Sequence, residues 1–241
     1  MEDIDAIAAL QDPVRRRLYE YVTAQAREVS RNEAAEATGV ARTLAAHHLD
    51  KLVEAGLLDV ASRRLTGRSG PGAGRPAKVY TRSRAERSVS LPARDYRTAA
   101  ELLAEAAEQA GLDVGLCAAA RRRGESLRGS AAPCRDLDEV MALLAARGYE
   151  PHLEAAEGAE DAEDAGAHGG TAEGTPEAAA HVVRMRNCPF HAVAERFPPL
   201  VCGMNLALLE GLLGTDGPVR ARMDSRPGAC CVIVEASRSD L

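Results

Sequence analysis

Residues 30–58 read SRNEAAEATGVARTLAAHHLDKLVEAGLL, and this stretch decides the fold of the first part of the chain. Its opening, Ser30-Arg31-Asn32-Glu33, is a capping-box pattern, a hydroxyl cap with a carboxylate three positions on, and starts a short helix. Gly39 ends that helix, because glycine takes the left-handed conformation of a helix stop without steric cost. After the Gly39-Val40 turn, Leu44, Ala45, Leu49, Leu52 and Val53 recur at three-to-four spacing as the stripe of a longer helix, which Gly56 closes. Short helix, glycine turn, longer helix is a helix-turn-helix outline.

Working outward, Ile4, Ile7, Ala8 and Leu10, then Val14, Leu18, Tyr21 and Val22, predict two helices broken at Asp12-Pro13. Pro13 suits the first helical position and Asp12 its cap. Downstream, Leu57 to Arg64 alternates as a strand and Ala77 to Thr81 is a second one. Between them, Thr66 to Pro76 holds four glycines and two prolines and cannot keep regular structure. A hairpin with a basic tip after the longer helix is a wing.

The chain has 241 residues, enough for two modest domains. Its 46% apolar share is mostly Ala, Leu and Val, with only five Tyr and two Phe, which favours helical packing. No run of about 18 apolar residues suggests a membrane span, and the amino end is acidic before it is basic, the reverse of a secretory signal. We therefore expect a cytoplasmic protein with no membrane partner, whose six cysteines stay reduced and serve as structural, metal-binding or redox-sensing groups.

The net charge of −6 hides two opposed segments. Residues 41 to 97 carry twelve Lys/Arg against five Asp/Glu, a net of +7. From 98 onward, thirteen basic residues face twenty-three acidic ones, a net of −10. This asymmetry points to a nucleic-acid-binding part joined to a part with another task.

In the second part, an alanine-rich helix over Thr98 to Ala110, packing Leu102, Leu103 and Ala106, is a candidate dimer helix. Another turn or two follows over Val114 to Arg123, and a helix capped by Asp136 places Leu137, Val140, Met141 and Leu144 inward. Strand-like runs cover 149–155, 179–186, 219–224 and 230–235, the last two around a Ser225-Arg226-Pro227-Gly228 turn. Residues 157 to about 177 collect acidic residues among Ala and Gly and read as a mobile acidic loop. The expected fold is α+β: a winged helix-turn-helix over 1–93, then an α+β domain with a small antiparallel sheet over 94–241.

Cys188 precedes a proline in a loop, Cys202 lies in the first turns of a helix buried nearly all round, and Cys230 and Cys231 open the last strand, pointing to opposite faces by its period of two. A helix amino terminus favours the thiolate that a metal requires. The spacing is neither that of a zinc ribbon nor of a ferredoxin. Three such thiolates can converge on one iron-sulfur cluster; buried cysteines acting as small hydrophobes are the alternative. His191 is either a fourth ligand or a helix cap, while Cys117 and Cys134 read as structural. Cys188 with His191 as a catalytic pair lacks an orienting acid, and no Gly-rich phosphate loop accompanies it, so no enzyme is expected.

Segment 12–81 resembles the winged helix-turn-helix of ArsR-like repressors, through Asp12-Pro13-Val14-Arg15-Arg16-Arg17-Leu18, Thr38-Gly39-Val40-Ala41-Arg42, His47 to Leu58 and Gly74 to Tyr80. The second half, through Asn187-Cys188-Pro189-Phe190-His191, Leu200 to Leu213 and Cys230-Cys231, resembles the subgroup of repressors of the Suf iron-sulfur assembly operon. That resemblance implies a homodimer whose cysteines hold a [4Fe-4S] cluster controlling DNA binding, with Cys188, Cys202 and Cys230 as ligands and the Cys230-Cys231 doublet leaving the third open. A regulator sensing zinc or a small molecule is the alternative. The expected partner is a double-stranded DNA operator with an inverted repeat. Arg42, Thr43 and His47 are placed at the amino-terminal part of the recognition helix, which enters the major groove. Arg63, Arg64, Arg68, Arg75 and Lys78 lie on the wing, where they neutralise phosphates.

Overall fold

A computed structural model describes residues 2–25, 27–64, 76–156 and 181–237. The chain forms two compact units, Met1–Arg94 and Asp95–Leu241, and is α+β. The wing tip with Arg68 and Arg75, and the acidic segment at 157–177, lie outside the described residues.

The first unit runs α1 (Glu2–Ala9), α2 (Pro13–Ala24), β1 (Val29–Ser30), α3 (Arg31–Thr38), α4 (Arg42–Glu54), β2 (Leu58–Arg63) and β3 (Ala77–Arg82). Local chemistry sets these boundaries. The Asp12 carboxylate accepts from the backbone N–H groups of Val14 at 2.8 Å and Arg15 at 3.0 Å, with Pro13 opening the helix. The Ser30 hydroxyl accepts from the Glu33 N–H at 3.2 Å, and the Glu33 carboxylate accepts from the Ser30 N–H, completing the capping box. Gly39 has φ +66°, which a side chain would strain. The hairpin pairs Leu58 with Arg82 through to Arg63 with Ala77, and the two-residue β1 adds a third strand by pairing Val29 with Tyr80. That short strand has no periodicity to reveal it in the sequence. Leu18, Val22, Val29, Ala45, Leu49, Leu52, Leu58 and Tyr80 close the core between the helices and this sheet.

The second unit runs α5 (Tyr96–Gln109), α6 (Asp113–Arg128), α7 (Leu137–Ala145), β4 (Pro151–Ala155), β5 (His181–Met185), α8 (His191–Ala194), α9 (Pro198–Leu213), β6 (Val219–Met223) and β7 (Val232–Ala236). Its antiparallel sheet has the order β4-β5-β7-β6. Val140, Leu144, Val183, Met185, Leu209, Leu212, Val232 and Val234 fill the core between α7, α9 and the sheet. Arg184 on β5, only 4% exposed, ties strands together through Glu154 and Asp224, each at 2.6 Å.

Three expectations are corrected here. Helix α6 is a full sixteen residues and not the turn or two expected over Val114 to Arg123, because its packing on α9 carries it through Gly124 to Arg128. Leu102 and Leu103 do not pack within the chain; they are 61% and 72% exposed, and α5 turns Ala104 and Ala107 toward Phe197, Leu200 and Val201. The last strand starts at Val232, so Cys230 and Cys231 precede it and escape strand alternation.

Gly124 keeps its place because α6 and α9 cross backbone to backbone. A Cβ on Gly124 would fall on the Leu208 carbonyl oxygen and lie 2.7 Å from the Leu212 nitrogen, while one on Gly211 would fall on the Arg121 carbonyl oxygen. Such a crossing cannot absorb a methyl group without moving a helix. Gly124→Ala is therefore expected to destabilise the second unit by about 1–3 kcal/mol, the usual cost of overpacking. This loss comes despite alanine being roughly 1 kcal/mol the better helix former. Urea unfolding followed by circular dichroism measures it, and a variant as stable as the parent would show that the crossing is loose.

Candidate nucleic-acid interface and thiol centre

Helix α4 divides its residues by the helical period. Ala45, His48, Leu49 and Leu52 face the core, and Arg42, Thr43, His47 and Lys51 face solvent. Arg42 and Thr43 occupy the exposed first turn and His47 lies one turn further along the same face, the arrangement by which a recognition helix presents its amino-terminal side chains. The adjacent histidines are split: His48 is 7% exposed, and its Nδ1 has no hydrogen-bond partner among the described residues.

The wing root is tied to α4 by a network that sequence reading missed. Asp50 accepts from the Lys78 ammonium at 2.9 Å and from the Tyr80 hydroxyl at 3.2 Å, and Arg31 donates to the same hydroxyl at 3.2 Å. Burial pushes the Asp50 carboxyl up, but the bonds from Lys78 and Tyr80 outweigh it and hold the group below its ordinary range. Arg63 pairs with Glu28 at 3.0 Å, and Arg64 is exposed. Lys78 and Arg63 therefore reach the surface already paired. Exposed pairs of this kind are worth roughly 0–1 kcal/mol, little enough for a phosphate to replace the carboxylate.

In the second unit, the four carboxy-terminal cysteines meet at the amino-terminal half of α9. Cys188 follows β5, where the Asn187 amide donates to the Gly148 carbonyl at 2.6 Å. Its thiol hydrogen-bonds to Cys230. The Cys230 N–H donates to the Met185 carbonyl at 2.9 Å, which ties this 2%-exposed residue to the end of β5. Cys202, in the second turn of α9, is joined by a disulfide to Cys231, with 6.2 Å between the Cα atoms. Thus Cys188 and Cys230 are in contact, whereas Cys202 is bonded to the neighbour of Cys230.

A buried polar pair supports this centre. The Asn205 amide donates to Cys230 Sγ at 3.4 Å, and its oxygen accepts from the Tyr149 hydroxyl at 2.6 Å. Asn205 is fully buried and stands three residues after Cys202, one helical turn along the same face. The hydrogen bond from Cys188 lowers the Cys230 thiol below its ordinary range, helped by the backbone N–H groups of Val232 and Cys231 and by Asn205, while burial opposes the shift. The same bond and burial push Cys188 up. Burial, then the nearby thiol charges, raise Tyr149. A buried Asn one turn beyond a cysteine was the one sequence signal for this support.

His191 does not face the thiols: its exposed ring lies 3.2 Å from Glu195, and its backbone N–H donates to the Cys188 carbonyl at 2.9 Å. Cys117 packs on α9 beside Gly203, and Cys134 on the core of the second unit. The soft sulfur donors of Cys188, Cys202, Cys230 and Cys231, drawn from a loop, a helix and a turn, suit an iron-sulfur cluster in chemical type. In the oxidised pairing only two of them are free thiols. Among the described residues no group of three or more His, Cys, Asp or Glu is placed to hold a metal ion.

Compared with known families, the chain matches a helix-turn-helix domain over residues 10–61, from the end of the α1 region to the middle of β2. Searches of curated proteins and of solved structures find no match. The matched segment contains α2, α3 and α4, and the hairpin that follows completes the winged form. It supports a winged helix-turn-helix DNA-binding transcriptional regulator. Among the described residues no helix is long and apolar enough to cross a membrane.

His48 makes the first unit sensitive to acid. Burial holds its pKa below 6.5, with the charges of Arg15 and His47 adding to this and Asp12 opposing it. The folded chain thus binds fewer protons than the unfolded one as pH drops below about 6.5, and stability present above that value is lost on acidification. His48→Leu is expected to flatten this loss between about pH 7.5 and 5.5. Parallel denaturation profiles for the variant and the parent would show that His48 takes up its proton as readily in the folded chain as in the unfolded one.

Proposed function

We propose that the chain is a homodimeric transcriptional repressor that reads DNA through α4 and the wing and is controlled by a [4Fe-4S] cluster held by Cys188, Cys202 and Cys230. The observation that carries this reading is the pairing of an exposed recognition-helix face in one unit with converging sulfurs in the other. Arg42, Thr43 and His47 enter the major groove, while Arg63, Arg64, Arg68, Arg75 and Lys78 neutralise phosphates along the backbone. The operator is an inverted repeat in double-stranded DNA, with half-sites about one helical turn apart. The apolar surface that α5 leaves open at Leu102 and Leu103 supports self-association.

At the thiol centre, Cys188 tethers the loop after β5, Cys202 the start of α9 and Cys230 the segment before β7. The Asn205 amide, positioned by Tyr149, donates to the Cys230 sulfur, which stabilises the thiolate and orients it as a ligand. A bound cluster would supply oxidant-labile iron-thiolate chemistry, held by the sulfurs of Cys188, Cys202 and Cys230. When this three-way tie is lost to oxidant, nitric oxide or iron shortage, the loop, helix and strand are released and the dimer loses its grip on the operator. The bound form is the one that grips DNA.

Two measurements test the halves separately. With operators selected from genomic fragments, combining Arg42→Ala with Arg68→Ala is expected to weaken binding and to reduce the slope of log affinity against log salt by about 1, for the phosphate that Arg68 no longer neutralises. An unchanged affinity and slope would mean that this face does not meet DNA. Anaerobic purification is expected to yield a coloured protein containing iron and acid-labile sulfide, both lost on Cys188→Ser, Cys202→Ser or Cys230→Ser. A colourless reduced chain without iron after reconstitution would overturn the cluster and leave a regulator that takes zinc or a small molecule.

A further inference from the structure

Cys231 has no part in the proposed ligand set, yet it is the residue bonded to Cys202. We propose that Cys202 and Cys231 form a reversible dithiol-disulfide pair that closes the metal site by withholding Cys202. The proposal rests on the reading of Cys202 as a ligand and adds the regulation of that site.

Three features carry it. First, the pair is geometrically ready: the Cα atoms of the second turn of α9 and of the residue before β7 stand 6.2 Å apart, within the range that a disulfide spans without backbone movement. Second, the pair is accessible where its neighbour is not. Cys202 and Cys231 are both partly exposed, whereas Cys230 is 2% exposed and held by Asn205 and the Met185 carbonyl. An oxidant in solvent therefore meets Cys202 and Cys231 before Cys230. Third, the doublet divides its work. Cys230 joins Cys188 and Cys231 joins Cys202, so a single bond removes one sulfur from the set and leaves the other two in place.

The chemistry balances with a hydroperoxide as oxidant. One thiol of the pair attacks the peroxide, its S–O bond forms as the O–O bond breaks, and the thiol proton leaves with the departing alcohol or water. The second thiol attacks this sulfenic sulfur, forming the S–S bond and expelling water. Two thiols lose two electrons, and the hydroperoxide is reduced by two. A dithiol reductant reverses the bond by thiolate attack and a mixed disulfide, returning two electrons and two protons.

The test uses the full chain, metal-free, reduced with a phosphine or oxidised with hydrogen peroxide that is then removed. Free thiols are alkylated after denaturation and the peptides mapped by mass spectrometry. The oxidised chain is expected to carry a Cys202–Cys231 cross-link with Cys188 and Cys230 alkylated; Cys231→Ser abolishes the link and Cys230→Ser keeps it. A link through Cys230, or none, overturns the pair. Anaerobic reconstitution with iron and sulfide then reads the closure: the oxidised parent is expected to lose most of its iron uptake, a reductant to restore it, and oxidised Cys231→Ser or Cys231→Ala to retain it. Equal uptake by oxidised and reduced parent overturns the closure while leaving the cluster reading intact. No uptake by the reduced parent removes the cluster and with it the closure, whereas the cross-link is judged by the mapping alone.

Discussion

The second unit depends on one close crossing, that of α6 over α9. Glycines at 124 and 211 let the two backbones touch, and no other residue fits at either point. Helix α9 is apolar on nearly every side because it is enclosed on nearly every side: α6 lies on one flank, and the sheet core of Val183, Val232 and Val234 on another. Its axis is therefore not free to slide. This rigidity matters for chemistry, because Cys202 and Asn205 project from the amino-terminal half of α9 toward the residues that precede β7. The hydrogen bonds of Asn205 to Cys230 and from Tyr149 are made from this fixed helix.

The same logic operates at smaller scale in the first unit. Asp50 sits on the edge of α4, half in and half out, and gathers Lys78, Tyr80 and Arg31 around one carboxylate. Through it the recognition helix, the wing root and the start of α3 hold a common geometry. The buried Tyr80 hydroxyl finds its acceptor there, so the network satisfies a polar group that would otherwise be costly to bury. The outward face of α4 is thus supported from beneath, with Arg42, Thr43 and His47 left unobstructed at its exposed end.

Where sequence and structure part, the reason in each case is packing that no local pattern reports. The residues from Val114 to Arg123 read as a turn or two, whereas α6 runs on to Arg128 and holds Gly124 inside it because another backbone passes there. Leu102 and Leu103 read as core because they are apolar at helical spacing; within the chain it is the smaller Ala104 and Ala107 that turn inward. Cys230 and Cys231 read as alternating because strand residues alternate, and they do not because the strand begins only at Val232.

The amino-acid sequence by itself determined the helix-turn-helix, since caps, glycine stops and apolar spacing act within a few residues and need no distant partner. It also marked the strands and the cysteines as the chemical feature of the second half. Only the tertiary structure decided which of two adjacent histidines is buried, which of two adjacent cysteines meets Cys188 and which meets Cys202, and that Asn205 and Tyr149 support the thiols. Those choices depend on interactions between residues up to 56 positions apart, made when helices pack within each unit, as α9 does against its sheet, and spacing along the chain carries no record of them.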